Sequence, residues 1–278
     1  MTDVCWQCQK KTNLLFRSAN LPDAEKQERC RIQQAHLENV GHERTFYRDL
    51  VQDARVAAEQ IGVTQLGPNT PCTNAIDMHY SFDYAQQVHF PSDPIQPGPV
   101  YFLTPRKLGI FGVHCEGVTK QLNYLVDESV LISKGSNAVI SYLDNFFRTY
   151  GLGETKAHLH CDNCSGQNKN RYVLWYMLWR CMSGLHRSIE MHFMVVGHTK
   201  FAPDWCFGLF KQRYRRTAVS CLDDVVRVVT GSTQTGINIP QLVGDEAGNT
   251  FVPQFDWQAF LSPFFKPLPG IKSFQHFR

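Results

Sequence analysis

Nowhere does the chain hold the roughly 18 consecutive apolar residues that a membrane span requires. Its apolar stretches are strand-sized or are broken by Arg180 or His192. Met1 is followed by TDVCWQCQKK, not by an apolar signal segment. Internal repeats and low-complexity tracts are missing too, which sets aside solenoids and biased linker proteins. Charge of one sign is scarce: the net charge is +3 and the isoelectric point about 8.3, so the total says little about partners. What is there is 278 residues, 43% hydrophobic and 19% charged, enough for one large buried core with an appendage. A chain of this size needs no disulfide framework, so its ten cysteines point to an intracellular protein with mostly reduced thiols.

Residues 1–62 read as an N-terminal helical arm containing a CxxC pair. From Pro22 to Ile61 the chain is charged and nearly free of glycine and proline. Its apolar residues, among them Ile32, Ala35, Val40, Phe46, Tyr47, Leu50, Val51, Ala54 and Ala57, recur at threes and fours. Pro22 with Asp23 and Glu25 starts the helix, acids toward its N-terminal dipole, and Gly41 is expected to interrupt it. From Ile76 the period changes to two. IDMHYSFDYAQQVHF, VYFLTPRKLGIFGVHCEG and QLNYLVDES read as three strands of an antiparallel meander. The segments that follow, SNAVISYLDNFFRTYGLG, KAHLHCD, RYVLWYMLWRCMSG, IEMHFMVVG and DWCFGLFKQRYRR, alternate helix and strand. The predicted order is β-β-β-α-β-α-β-α, the later strands parallel. The expected fold is therefore α/β: a mixed five-stranded sheet over residues 75–217, a three-strand meander then βαβα. Residues 218–278, with one short helix (CLDDVVRVV) and a Pro- and aromatic-rich tail, are expected to pack over that core.

Three aspartates occupy special places in this order. Asp83 lies within an apolar strand between Phe82 and Tyr84, Asp162 ends the fourth strand, and Asp204 opens the helix after the fifth. In such a meander the first and fourth strands are neighbours, so Asp83 and Asp162 meet at the sheet edge where parallel α/β folds place ligands. Each has a bland reading as well: Asp162 as an Asx turn, Asp204 as a helix-start acid. Asp83 resists one, because a carboxylate in an apolar strand costs several kcal/mol (~2–7 for an unpaired polar group) unless paired or bound to metal. Converging carboxylates suit Mg²⁺ or Mn²⁺, and two such ions would activate water and stabilise a leaving oxygen in phosphodiester cleavage. That is the arrangement of RNase H-like nucleases.

The string CDNCSGQNKNRYVLWYMLW, preceded by FDYAQQVHFP and followed by GHTKFAPDWCFGLFKQRYRR, resembles a transposon-derived family that carries the DNCSGQNKN motif. The resemblance covers most of the chain, including CWQC and HLENVGHERTFYRDL, and implies an RNase H-like core of the DDE/DDD transposase type. Carried over residue by residue, it implies Asp83, Asp162 and Asp204 as the acidic triad; Asp204 stands where many related transposases have Glu. It further implies metal-dependent cleavage and strand transfer of DNA, with transposon ends or target DNA as partner, nuclear location, and homo-oligomers. The alternative is a domesticated, catalytically inactive protein that binds nucleic acid or protein. The chain has no recognisable DNA-recognition domain of its own, so sequence-specific binding is expected to have been lost or to sit upstream.

Other residues support or compete with this reading. His198 lies six residues before Asp204 and is a candidate for contacting the metal, though a lone histidine at a strand end is more often structural. Asn163, Asn168 and Lys169 after Asp162 are candidates for contacting a nucleic-acid backbone, and serve equally well as turn and cap residues. Lys200, Lys211, Arg213, Arg215 and Arg216 fall within seventeen positions and would neutralise phosphates, although a solvated helix face explains most charge runs. Cys5 and Cys8 have half of a zinc site's spacing, with Cys30, His36 and His42 as available partners for Zn²⁺. The aromatics Tyr172, Trp175, Tyr176, Trp179, Trp205 and Phe207 are candidates for base stacking, but their helical spacing reads as core packing against the sheet.

Overall fold

The period-two pattern that begins at Ile76 becomes β1 (Asn74–Phe90) in a computed structural model of the chain, which describes residues 5–95, 98–102 and 104–278. Before it come α1 (Trp6–Phe16) and α2 (Asp23–Gln60). After it come a single turn α3 (Gly98–Tyr101), β2 (Arg106–Cys115), β3 (Lys120–Asp127), α4 (Ser136–Thr149), β4 (Glu154–Cys161) and α5 (Arg171–Met182). The chain continues through β5 (Ser188–Phe193), α6 (Ala202–Tyr214), α7 (Leu222–Thr230), β6 (Asn238–Leu242), α8 (Trp257–Leu261) and β7 (His276–Phe277). No described helix is long and apolar enough to cross a membrane.

The protein is a mixed α/β fold, and its sheet has seven strands rather than five, in the order β6-β3-β2-β1-β4-β5-β7. The meander and the parallel pairs fall where the pattern puts them: β1–β2 and β2–β3 are antiparallel, β1–β4 and β4–β5 parallel. The two extra strands come from the C-terminal segment. β6 adds parallel to β3 at one edge and β7 antiparallel to β5 at the other. Residues 218–278 thus complete the sheet as well as packing on it, and both edges of the inner five strands are covered. Both added strands are short, five and two residues, too short for a period to declare itself.

Two further expectations are corrected. Helix α2 runs unbroken for 38 residues, about 57 Å at 1.5 Å per residue. Gly41 sits on its exposed side, where a glycine costs only about 1 kcal/mol and periodic apolar residues on both sides carry the helix through. The stretch VYF does not begin a strand: β2 starts at Arg106, just past Pro105, which cannot donate to a ladder.

The sheet separates two unlike faces. Met78, Tyr80 and Phe82 of β1 join Phe111, Val113, Leu122, Tyr124 and Leu159 in an apolar layer closed by α4, α5 and α8. Tyr176 and Trp175 belong to this core, as their helical spacing predicts. The opposite face carries polar residues in register across every strand. Asn238, Gln121, His114, Ser81, His160, His192 and His276 are successive partners on β6, β3, β2, β1, β4, β5 and β7. All but His276 are buried. Helix α2 lies over this row: Tyr47 packs edge-on to His79 and His160, and Phe46 to His192 and His276. The Tyr47 hydroxyl donates to Glu116 Oε1 at 2.5 Å, and so does Ser81. His79 and His160 are bonded to each other at 2.7 Å. The row is wholly polar yet largely paired, which is how a buried polar layer becomes affordable.

Helix α6 covers the next part of that face through an apolar cluster with β1, β2 and α7. Gly112 is the contact point. A Cβ there would sit 2.7 Å from Phe207 Cζ and 2.8 Å from Gln121 Nε2. Because Gly112 pairs directly with Asp83, this close approach sets α6 beside the acidic strand. Gly112→Ala is expected to destabilise the protein by about 1–3 kcal/mol through overpacking. A urea midpoint equal to that of the wild type would show that α6 is held by other contacts.

Candidate functional site

Asp83 and Asp162 sit at the parallel pair β1–β4. The last registered pair is Ser81 with His160; Asp83 lies two residues further along β1 and Asp162 one residue past the end of β4. Asp83 is partly buried, and its Oδ1 accepts from the Tyr84 backbone N–H at 2.7 Å. Burial first, then the charge of Asp162 and, more weakly, that of Asp204, pushes its carboxyl up to about 7. The third acid is therefore electrostatically within reach of the first.

The loop that carries Asp162 explains the residue types of DNCSGQNKN. Asp162 Oδ1 accepts from Cys164 N–H at 3.0 Å and from Asn168 Nδ2 at 2.7 Å. The Cys164 carbonyl accepts the N–H groups of Gln167, Asn168 and Lys169. Asn163 bonds the Met194 carbonyl on β5's far end and accepts from Lys169 Nζ at 2.8 Å. Asn170 caps α5 by accepting from Tyr172 and Val173 N–H. The motif is a self-bonded clamp that fixes one carboxylate at a strand end.

This corrects part of the expected nucleic-acid surface. Asn168 is fully buried and Lys169 is 5% exposed, with its ammonium over the Phe193 ring at 5.0 Å. Neither presents itself to a nucleic-acid backbone, and Asn163 is engaged as described. Among the basic residues, Arg213 is spent on the Gly231 carbonyl at 2.7 Å, tying α6 to the end of α7. Lys200, Arg215 and Arg216 are exposed. Lys211 and Arg215 line a groove with Gln86, Gln87, His89 and Tyr214 along the outer stretch of β1, beyond Asp83. Burial and Arg215 lower the Lys211 pKa while Asp204 opposes them, so Lys211 faces both the groove and the acid.

Asp204 is exposed, in the first turn of α6, and accepts from Phe201 N–H at 3.1 Å, the helix-start role weighed for it from sequence. The charges of Asp162 and, more weakly, of Asp204 act on Asp83, but the three acids do not form a closed cage. Among the described residues, two sets place their ligand atoms within 4.8 Å of one another, and the acidic trio is neither of them. One is His158, Glu190 and His192, neighbours in and beside the histidine row. The other is Cys5, Cys8, His36 and His198.

His198 therefore belongs with the cysteines and not with the acids. Its Nε2 lies 3.4 Å from Cys8 Sγ, while His36 Nε2 lies 3.6 Å from Cys5 Sγ. Cys30 and His42, the other partners considered for the CxxC pair, are exposed and outside the set. Sequence reasoning also passed over the histidine row, although DMHYSFDY, GVHC, KAHLHCD and IEMHF repeat histidine or serine at alternate strand positions.

These features define an α/β protein whose mixed sheet carries one carboxylate within β1 and another just past the end of the neighbouring β4. The chain belongs to the DUF7869 family, a domain of unknown function, whose model matches residues 104–278. That span takes in Asp162, His198 and Asp204, while Asp83 and the cysteine pair precede it. No curated protein and no solved structure matches the chain.

Proposed function

We propose that this protein is a transposase-derived nuclease with an RNase H-like core that cleaves and rejoins DNA phosphodiesters. The observation that carries the reading is the placement of Asp83 on β1 and Asp162 just past the end of the adjacent parallel β4, close enough for their charges to act on each other, with Asp204 on α6, which packs against β1 and β2. The inner strand order β3-β2-β1-β4-β5 with β2 antiparallel supports the RNase H-like assignment. In this reading Asp83 and Asp162 hold a Mg²⁺ or Mn²⁺ ion and Asp204 completes the set. The donors fit such an ion, being hard oxygens whose mutual repulsion a cation relieves. Bound there, it supplies charge neutralisation and activation of a water or 3′-hydroxyl. The chain's own part is to keep Asp162 aimed through the Asn168 and Cys164 bonds and to receive phosphates along the Lys211–Arg215 groove.

The test is cleavage of linear and branched DNA duplexes, with matched RNA alongside, in Mn²⁺ and in EDTA. Cleavage should need the cation and fall by more than about a hundredfold in Asp83→Asn/Asp162→Asn. A double variant that still cleaves like wild type would sink the assignment, and preference for RNA would redirect it to an RNA nuclease. A second reading, a domesticated inactive binding protein, is favoured by one observation: the three carboxylates do not converge as the Cys/His set does. Titration calorimetry of Mn²⁺ into wild type and Asp162→Asn separates the two, because only the nuclease reading expects binding that the substitution removes.

A further inference from the structure

Helix α1 buries little apolar surface. None of its residues is buried, and Trp6, Leu14 and Phe16 are exposed. Yet the residue just before it, Cys5, is 3% exposed and is tucked against the loop after β5. Its thiol donates to the Val196 carbonyl at 3.5 Å. Gly197, at φ +78°, permits the approach: a Cβ there would lie 2.8 Å from Cys5 Cα. The chain is shaped around a small polar cluster, while the bonds from α1 to α2, Lys11 to the Ile32 carbonyl and Arg29 to the Leu14 carbonyl, are exposed and hold the short helix weakly.

We propose that Cys5, Cys8, His36 and His198 form a structural, four-coordinate Zn²⁺ site that clamps α1 to α2 and to the β5–α6 loop. A tetrahedral zinc with Zn–S near 2.3 Å and Zn–N near 2.0–2.1 Å requires S···N edges of roughly 3.5 Å and S···S edges of roughly 3.8 Å. The two S···N separations are 3.6 and 3.4 Å, and all four ligand atoms lie within 4.8 Å of one another. The donor set, two thiolates and two imidazoles with no carboxylate, selects zinc over the hard cations expected at the acidic site. Four protein ligands leave no open position, so the site is structural and not hydrolytic. Three of the ligands lie far apart in sequence, on α1, α2 and the loop after β5, so the ion joins the arm to the core. The proposal stands whether or not the protein cleaves DNA.

The experiment uses the full chain purified under reducing conditions without chelator, with metal content measured by plasma mass spectrometry. About one zinc per chain is expected, falling at least fivefold, by rough estimate, in Cys8→Ser and in His198→Asn but not in Cys30→Ser. Chelator should expose the segment between α1 and α2 to limited proteolysis while β4 and β5 stay protected. Exchange of the wild type into Co²⁺ needs no variant to fold and should give the intense visible bands of a tetrahedral ion with thiolate charge transfer. Equal zinc in wild type and Cys8→Ser, failure of the reduced wild type to take up metal, or a weak octahedral cobalt spectrum would each overturn the site.

Discussion

Replacing Asp83 by Asn is expected to make the metal-free protein more stable at pH 7, while abolishing its response to Mn²⁺. The carboxyl is raised to about 7 by burial, then by the charges of Asp162 and Asp204. An unfolded aspartate titrates near 3.9. Between those values the folded state keeps a proton that the unfolded state has released, so stability is complete below about pH 4 and is lost as pH rises through about 7. The full difference is on the order of 4 kcal/mol, roughly 10 °C in melting temperature for a chain of this size. The amide keeps the shape and can still accept from Tyr84 N–H, but it does not titrate. The gap between Asp83→Asn and wild type should therefore be near zero at pH 4 and widest at pH 7. Saturating Mn²⁺ should close it by stabilising the wild type alone. Urea titrations at three pH values, with and without Mn²⁺, read this out; a gap that stays constant with pH would mean that the charge is not confined.

The second large effect runs the other way and belongs to the histidine row. Burial, followed by its neighbours His158 and His276, lowers His192 to about 3, and burial also lowers His79, His114, His158 and His160. These imidazoles are neutral in the fold, whereas unfolded histidine binds a proton near 6.5. The unfolded state therefore holds more protons as pH falls below 6.5, and stability present above that value is lost toward the depressed folded values. His192 alone accounts for on the order of 4–5 kcal/mol by pH 3. Several such groups together outweigh the opposing titration of Asp83, so the urea midpoint should fall steeply between pH 6.5 and 4.5. His192→Gln should flatten that fall by about one proton's worth of slope, even if the variant starts less stable. An identical slope in wild type and variant would place the acid sensitivity elsewhere.

The meander, the parallel crossovers and the aspartate within β1 were readable because each rests on a local period or a residue type out of place. Asp83 stands out as a charge between Phe82 and Tyr84. What could not be read was whatever depends on partners distant in sequence. His36 and His198 join Cys5 and Cys8 only after α2 lies back across the sheet, 31 and 190 residues from their thiol neighbours. Lys169 looked like a phosphate contact because a lysine in a polar loop usually is one; its burial follows from Asn163 and Phe193, which the loop reaches only by folding. The histidine row was visible in principle. It was missed because alternation in one strand reads as ordinary half-burial, and only registering seven strands turns it into a continuous layer. FY in HERTFYRDL took on meaning the same way, as the two rings that cover that layer.

The sheet's outer strands carry a consequence for synthesis. The five inner strands are complete once Phe193 has emerged from the ribosome, but residues 238–242 and 276–277, which cover the flanks, follow later. Until then β3 and β5 offer unpaired backbone to any neighbouring nascent chain. The two-residue β7 also brings His276 against Phe46 and within 3.1 Å of Glu43, so a segment 233 residues further along the chain fastens α2. Truncation ahead of His276 would leave the β5 flank open, and solubility during translation, more than the finished fold, is where the change would be felt.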